Sequence, residues 1–254
     1  MKISIITICL NAEKTIERTI KSVLSQEYEN VQYIVIDGMS KDNTLEIINK
    51  YRSNINIVIS EKDNGISEAF NKGLALAQGE LIGILNSDDW YEPNALKNAS
   101  RLFLLNKKSI IHSNTYYWLK NGKKGLKMSS EIGIKNPFYG CTIRHPSCFI
   151  PMSVYKKVGS YDMRLKVTMD YDFFIRADQQ GLIFKKSNTI FTNYSEGGLS
   201  SKMKMKTLKE ELFINGKDRN LNFIYRSLIF SIRLIYLYFF DHWKNKLLAF
   251  TQKK

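Results

Sequence analysis

Residues 55–89, "INIVISEKDNGISEAFNKGLALAQGELIGILNSDD", decide the fold. "INIVIS" (55–60) and "LIGIL" (81–85) are short apolar runs rich in β-branched residues, too short for helices and suited to buried strands. Between them, Ser67 to Ala77 reads as a helix ending near Gly79. Two strands joined by a helix pair in parallel, because the connection has to cross over the sheet. The same alternation extends upstream. "KISIITICL" (2–10) is a strand, and Ala12 to Ser25 is a helix with Ile16, Ile20, Val23 and Leu24 on one face. "VQYIVID" (31–37) is the next strand, followed by a short helix from Thr44 to Tyr51 with Asp42 as its N-cap. Pro93 opens the helix after the fourth strand. The expectation is an α/β protein with a mostly parallel, Rossmann-like sheet and helices on both faces.

Beyond residue 105 the pattern loosens. "SIIHSNTYYWL" and "GLKMSS" flank "KNGKK", a hairpin turn. Residues 131–150 read as loop with a short apolar "CFIP", Val154 to Val158 as a brief helix, and "MDYDFFIRADQQG" (169–181) as a helix carrying Asp170 and Asp172 in its first turn. Short strands and a Gly-Gly loop follow. The expected organisation is one domain over 1–200, with a ligand-binding half (1–105) and a second half (106–200), then a helical tail over 201–254.

The chain has 254 residues, 44% hydrophobic and 24% charged, ordinary values for a globular protein with a real core. Cys9, Cys141 and Cys148 are odd in number and match no zinc spacing, and no signal peptide is visible, so reduced thiols in the cytoplasm are expected. The net charge of +14 is uneven: residues 200–254 hold 12 Lys/Arg against 4 Asp/Glu. A basic tail points to nucleic acid or to an anionic membrane surface.

The acids line up with the strands. Asp37 ends the second, Asp63 follows the third, and Asp88-Asp89 follow the fourth. Ligands in an open α/β sheet bind outside the carboxyl ends of the strands. One Asp there caps a turn. Three strands delivering acids to one rim suggest a shared site. Two adjacent carboxylates raise each other's pKa unless positive charge intervenes, and a divalent cation is a candidate. Gly38 and Gly65 directly follow strands, where the chain turns or approaches a ligand. No glycine-rich phosphate loop is present, so a bound nucleotide would rest on acids and a metal-held diphosphate.

Four stretches carry a resemblance: "SIITICLNAEKTIERTIKSVLSQ", "YIVIDGMSKDNT", "EKDNGISEAFNKGLALAQGELIGILNSDDW" and "MDYDFFIRA". In this order and spacing they resemble a family 2 inverting glycosyltransferase of the GT-A fold, the kind found in bacterial surface polysaccharide synthesis, over roughly residues 1–200. The resemblance implies transfer of one sugar from a nucleotide diphosphate sugar, with uridine the commonest base, to an acceptor hydroxyl. Thr7, Asn11 and Glu13 match the family's nucleotide-contacting turn. Asp37 matches the nucleoside-contacting acid, and Asp63, Asn71 and Lys72 match further donor contacts. Ser87-Asp88-Asp89 matches a D-x-D-like triplet whose last acid binds Mn²⁺ or Mg²⁺; Ser87 in place of Asp leaves one carboxylate fewer. Asp170 matches the catalytic base.

The chemistry suits these residue types. The departing diphosphate gains charge that a cation on Asp89 neutralises, while a carboxylate on the other face takes the acceptor's proton. Asp170 alone reads as an N-cap, and only the motif makes it a base. Asp170-Tyr171-Asp172 is also a literal D-x-D; Asp89 is preferred for the metal because it follows a strand on the rim. His145 is a further candidate for the diphosphate or metal, with a structural loop histidine as the equal reading. His112, in an apolar strand, reads as structural. The loop 195–201 offers Gly197 and Gly198 as hinges over bound donor. Trp90 and Tyr91 suit either sugar stacking or packing.

Residues 221–250 form an amphipathic helix with Tyr225, Leu228, Ile232, Ile235 and Phe239 on one face and Arg226, Arg233 and Lys244 opposite. Arg233 interrupts the apolar run short of the ~20 residues a spanning helix needs. A helix lying on the inner face of the cell membrane is expected, with a core or homodimer helix as the alternative. The processive enzymes' Q-x-x-R-W motif is absent, so single addition is expected, to a lipid-linked glycan of capsule, O-antigen or exopolysaccharide. Two rivals fit less well. A sugar-phosphate nucleotidyltransferase needs a glycine-rich basic loop where "CLNAEKT" stands. A nucleic-acid binder would not place acids on its rim or make its basic tail apolar.

Overall fold

The computed structural model describes residues 1–197 and 203–251, with the side chains of residues 237 and 240–251 outside the description. The first half runs β1 (Ile3–Cys9), α1 (Ile16–Leu24), β2 (Val31–Asp37), α2 (Thr44–Lys50), β3 (Ile57–Ser60), α3 (Ile66–Leu76), β4 (Leu81–Asn86), β5 (Trp90–Tyr91) and α4 (Ala95–Leu105). The second half adds β6 (Ile110–His112), β7 (Thr115–Trp118), β8 (Lys124–Lys127), α5 (Ile132–Lys135), β9 (Phe149–Pro151), α6 (Met152–Val158), α7 (Met169–Gln179), β10 (Phe184–Lys186) and β11 (Thr192–Ser195). Two helices close the chain, α8 (Lys204–Lys217) and α9 (Phe223–Thr251).

Seven strands form the central sheet in the order β10-β6-β9-β4-β1-β2-β3, and β5-β11-β7-β8 form a smaller one. β3, β2, β1 and β4 run parallel. Strand order reverses between β1 and β4, the switch point where such sheets leave a crevice. Register brings the strand ends level: Cys9 lies opposite Asp37, Ile8 opposite Asn86, and Asp37 opposite Ser60. The alternation of strand side chains divides the core. Ile3 and Ile5 pack with Ile16, Ile20 and Val23 of α1 and Phe103 of α4, whereas Ile6 and Ile8 pack with Phe70 of α3, Phe174 of α7 and Ile214 of α8. Each such burial contributes roughly 1.5–3 kcal/mol before entropy is counted. At Gly73 a Cβ would stand 2.3 Å from Ile6 Cγ2, so a side chain there would push α3 off β1.

Several expectations need correction. The first helix starts only at Ile16, because residues 12–15 turn on Ala12 O, which accepts the N–H groups of Thr15 and Ile16. Leu24, expected on the buried face, is exposed. The N-cap of α2 is Asn43, with Asp42 Oδ1 reaching Thr44 N from one residue further back at 3.0 Å. Residues 131–150 are not simply loop. β9 lies inside the large sheet, antiparallel to β4 and β6, with Phe149 fully buried. Three residues are too few to show a strand period, and Pro151 reads as a break. The expected boundary at 200 does not separate α8 from the domain, since Leu208, Glu210, Glu211 and Ile214 are all buried. No helix among the described residues is long and apolar enough to cross a membrane.

Candidate active site

The turns after β1 and β2 are stitched together. Asn11, in a left-handed conformation (φ 50°), accepts Lys41 N at 2.8 Å through its side chain and donates its own N–H to Ser40 Oγ at 2.8 Å. Glu13 Oε2 accepts Asn43 N and Nδ2 at 3.2 and 3.0 Å. Asp37, fully buried, accepts Ser40 N at 3.1 Å and Ser60 Oγ at 2.6 Å. Asp63 Oδ1 accepts Gly65 N at 2.9 Å, and a Cβ on Gly38 would come within 2.8 Å of Asp63 Oδ2. Asn11, Glu13, Asp37 and Asp63 therefore share one rim. Thr7 does not present its side chain there: it is fully buried and accepts Tyr33 OH at 3.1 Å inside the fold.

The turn after β4 meets α1 across the switch point. Thr19 Oγ1 lies 2.9 Å from Ser87 O and 2.7 Å from Asp89 O. Arg18 donates to Asp88 O at 2.9 Å and to Ser195 Oγ at 3.1 Å, and its guanidinium lies 3.6 Å over the Trp90 ring. Asp89 is fully buried, and its carboxylate accepts Ser195 N at 3.2 Å and Asn86 Nδ2 at 3.3 Å. Burial and the adjacent Asp88 charge push the Asp89 carboxyl well above the usual carboxylate range, partly offset by Arg18. Asn86 Oδ1 is buried beside it with no hydrogen-bond partner among the described residues. Asp89, Asp88 and Asn86 Oδ1 are hard oxygen donors, the set that Mg²⁺ or Mn²⁺ prefers. They fit a cation that takes its remaining ligands from a diphosphate and water. By themselves they fall short of a full shell, and among the described residues no three His, Cys, Asp or Glu cluster as a metal site.

The second half ties the lead-in to Asp170 to α3 and to the turn after Asp63. The segment leading into α7 is tied to α3 and the turn before it: Ser67 Oγ donates to Leu165 O at 2.6 Å, and Lys166 Nζ donates to Asn64 O. Asn71 holds the Tyr161 backbone at both ends, accepting its N–H at 3.0 Å and donating to its carbonyl at 2.9 Å. Asn71, expected at the donor, thus joins α3 to the segment leading into α7. Lys72, expected beside it, pairs with Glu61 at 2.9 Å and Glu68 at 3.3 Å. Asp170 is half-buried, and its Oδ1 accepts Tyr171 N at 2.8 Å. Burial pushes its carboxyl up to about 6, partly offset by hydrogen bonds and by Arg144. A carboxylate with that proton affinity is suited to accept a proton near neutral pH.

Asp172 has a different place. It is fully buried between Arg176 at 2.8 Å and Lys217 at 2.6 Å, an ion cluster that joins α7 to α8. It therefore does not compete with Asp89 for a cation. His145 is also internal: its Nε2 lies 2.8 Å from Tyr161 OH, its ring stacks on Phe70 at 5.3 Å, and burial lowers its pKa to about 4. Among the described residues its side-chain partners are aromatic and none is an acid, which removes the basis for reading it as a metal ligand. His112 is buried between Ser129 and Glu131. Gly198 to Ser201 of the expected hinge loop lie outside the described residues.

A family model described as "Glycosyl transferase family 2" matches residues 4–159. The chain belongs to glycosyl transferase family 2. An uncharacterized glycosyltransferase of Rickettsia typhi is 30% identical over 189 residues, 68% of this chain and 58% of its own length, so the chain spans little more than half of that relative. Family 2 membership agrees with the solved structures that match. TarS of S. aureus (residues 1–349) in complex with UDP-GlcNAc superposes with a TM-score of 0.69 at 20% identity, over 92% of this chain and 72% of that one. A mannosyltransferase of Pyrobaculum calidifontis in complex with GDP-Man and Mn²⁺ superposes with a TM-score of 0.67 at 12% identity, over 87% and 65%. At such identities the likeness concerns the fold, which is GT-A.

Arg18, Asn86 and Ser195 were not legible as site residues. Arg18 places a cation beside the paired acids. The one available signal was that unexplained charge pair after β4, together with the adjacency of β1 and β4, which carries α1 to the same crevice.

Proposed function

We propose that this chain transfers one sugar, with inversion, from a uridine diphosphate sugar to a hydroxyl of a lipid-linked glycan acceptor, as in the assembly of a surface polysaccharide. The observation that carries this reading is the tethering of the Asp170 lead-in to the nucleotide rim through Ser67, Asn71 and Lys166. It ties the lead-in of a proton acceptor poised near neutrality to the turn that follows Asp63 and to α3. Asp37 and Asp63, with the stitched turns of Asn11 and Glu13, are the nucleoside side of the site. Asp170 takes the acceptor's proton as its oxygen attacks the anomeric carbon from the face opposite the leaving diphosphate, which inverts that centre. Asp89, with Asp88 and Asn86, would hold Mn²⁺ or Mg²⁺, which would supply positive charge to the leaving group. Asp170 does not have to protonate that leaving group, so one carboxylate base is enough.

The membrane face of this reading lies on α9. Ile224, Leu228, Ile235 and Phe239 are between half and four-fifths exposed, a row of apolar side chains on one helix. Arg226 and Arg233, expected on the opposite side and at the lipid surface, face the protein instead. Arg233 pairs with Glu211 of α8 at 2.5 Å, and Arg226 packs against Gly216. Lys244 lies outside the described side chains. The apolar face would enter the headgroup region of an anionic cytoplasmic membrane, with the chain's +14 charge favouring approach. A homodimer through the same face is the competing outcome.

Thermal shift of the full chain against UDP-glucose, UDP-galactose and UDP-N-acetylglucosamine, each with and without Mn²⁺, tests the donor. Stabilisation by one of them that requires Mn²⁺ is expected. No shift with any of them, alongside a shift with GDP- or CMP-sugars, would overturn the uridine assignment. No shift with any nucleotide sugar would overturn the reading itself.

A further inference from the structure

We propose that Glu210 is a positioning residue for Asp170: its carboxylate, reaching in from α8, fixes the start of α7 by accepting the backbone N–H groups of Lys166, Val167 and Thr168. The inference rests on the reading of Asp170 as the base. A helix start leaves its first N–H groups without intrahelical partners, and a side chain at the N-cap ordinarily serves them. Here the N-cap is Thr168, and its side chain makes no such bond. Thr168 Oγ1 donates outward to Glu210 Oε2 at 3.0 Å, and Glu210 holds the N–H groups just before the helix, not the helix's own first donors. The same oxygen accepts Val167 N and Thr168 N at 2.9 Å each, and Oε1 accepts Lys166 N at 2.9 Å. One buried carboxylate thus receives four donors from three consecutive residues, some forty positions earlier in the chain.

The clamp ends two residues before Asp170, whose own Oδ1 is oriented by Tyr171 N of the same helix start. Any tilt of that first turn moves the base. α8 also reaches the other side: Glu211, mostly buried, takes a hydrogen bond from the Cys141 backbone, and Cys141 Sγ lies 3.9 Å from Asp170 Oδ2. The titratable and charged groups facing Asp170 include Arg144, Cys141, Cys148, Tyr161 and Glu211. They lie on the 141–148 segment, the α7 lead-in and α8, so the environment of the base is set by α8 and by the two segments that Glu210 and Glu211 tie to it. Misplacing a reacting group by ~1 Å can cost ~10²-fold in rate, which makes the orientation of this turn a matter of catalysis and not only of folding.

The test follows Asp170 itself in the full chain. Aspartate carboxyls are labelled with ¹³C, the Asp170 signal is assigned by its loss in Asp170→Asn, and its titration is compared among native chain, Glu210→Gln and Glu210→Ala. The native midpoint is expected near about 6. In Glu210→Ala it should fall toward the ordinary value near ~4 as the turn loosens and water reaches the carboxyl. In Glu210→Gln, which keeps one acceptor oxygen, it should fall less. Calorimetric affinity for UDP with Mn²⁺ should be unchanged in both, because the rim is built from other elements. Thr168→Ala, which removes one bond of the four, serves if Glu210→Ala does not fold. An Asp170 titration unchanged in Glu210→Gln and in whichever second variant folds would overturn the inference and leave Glu210 as a cap for the fold alone. The reading of the base fails separately: Asp170→Asn that retained sugar transfer would sink it without affecting these titrations.

Discussion

The two sides of the crevice are built differently. On the proposed nucleotide side, polar side chains are held by partners close in sequence, on a neighbouring strand or in a neighbouring turn: Asp63 by Gly65, Asp37 by Ser40 and Ser60, Glu13 by Asn43. On the base side, Asp170 stands in a turn held from far away, by α3, by the 141 segment and by α8. A rim made of strand ends in register is rigid because the sheet is rigid. A base on a helix start is only as well placed as the contacts that dock that helix. Damage to the first side should therefore appear in donor affinity, and damage to the second in turnover and in stability.

The largest expected effect is on the base. Asp170→Asn should lower transfer ~10²–10⁴-fold while leaving affinity for UDP and Mn²⁺ intact, since the amide can accept the Tyr171 N–H but no proton. In the native chain the rate should rise tenfold per pH unit up to about 6 and then level. Stability should follow the opposite sign. The folded chain takes the Asp170 proton at about 6 and the unfolded chain near 3.8, so the folded state binds the extra proton between those values. Stability then falls as pH rises through that window, by on the order of 2–3 kcal/mol. Asp170→Asn should lose that fall, and urea titrations at pH 4 and pH 7 measure it.

Next in size is Asp172→Ala, which leaves Arg176 and Lys217 without their shared carboxylate. A stability loss of ~3–5 kcal/mol is expected, with Mn²⁺-dependent UDP binding unchanged. Lost metal dependence in this variant would return Asp172 to the list of cation ligands and blur the contrast between the two sides. Asp89→Ala should do the reverse, weakening Mn²⁺-dependent UDP affinity by at least ~10–100-fold in calorimetry while the chain stays folded. Undiminished affinity would remove the cation from Asp89.

The same contrast explains what the sequence made legible. The strands of the first half could be read because each is a contiguous apolar run with an acid at its end, as at Asp37 and Asp88-Asp89. β9 was missed because a three-residue strand has no period to read, and its place in the sheet depends on β4 and β6. Asn71 and Lys72 were attached to the donor by motif alone, whereas contacts that no local pattern encodes give them Tyr161 and Glu61, and an i,i+4 pair adds Glu68 to Lys72. Asp172 looked like half of a metal motif until its two cations, one from α8, came into view. The amphipathic period of α9 was legible, but which face meets the protein was not. Periodicity gives two faces, and the Glu211–Arg233 pair is what turns the arginines inward.

That orientation of α9 sets the smallest effect, a change in how membrane binding responds to salt. Were the arginines at the lipid surface, binding to vesicles containing anionic lipid would weaken steeply as screening grows, because the Debye length shrinks from ~10 Å at 0.1 M to ~3 Å at 1 M. With Arg233 held by Glu211 and Arg226 against Gly216, binding should rest mainly on the apolar row and respond only weakly to salt. Leu228→Glu with Ile235→Glu should then abolish vesicle binding, in sedimentation with phosphatidylglycerol-containing vesicles, without altering UDP affinity. Arg233→Gln should chiefly destabilise the chain, because it leaves Glu211 buried without its cation. A steep salt dependence would mean that other lysines of the tail carry the contact. A chain that ignores vesicles, and changes from dimer to monomer on Leu228→Glu with Ile235→Glu, would assign the apolar row to a second copy and take the membrane out of the acceptor reading.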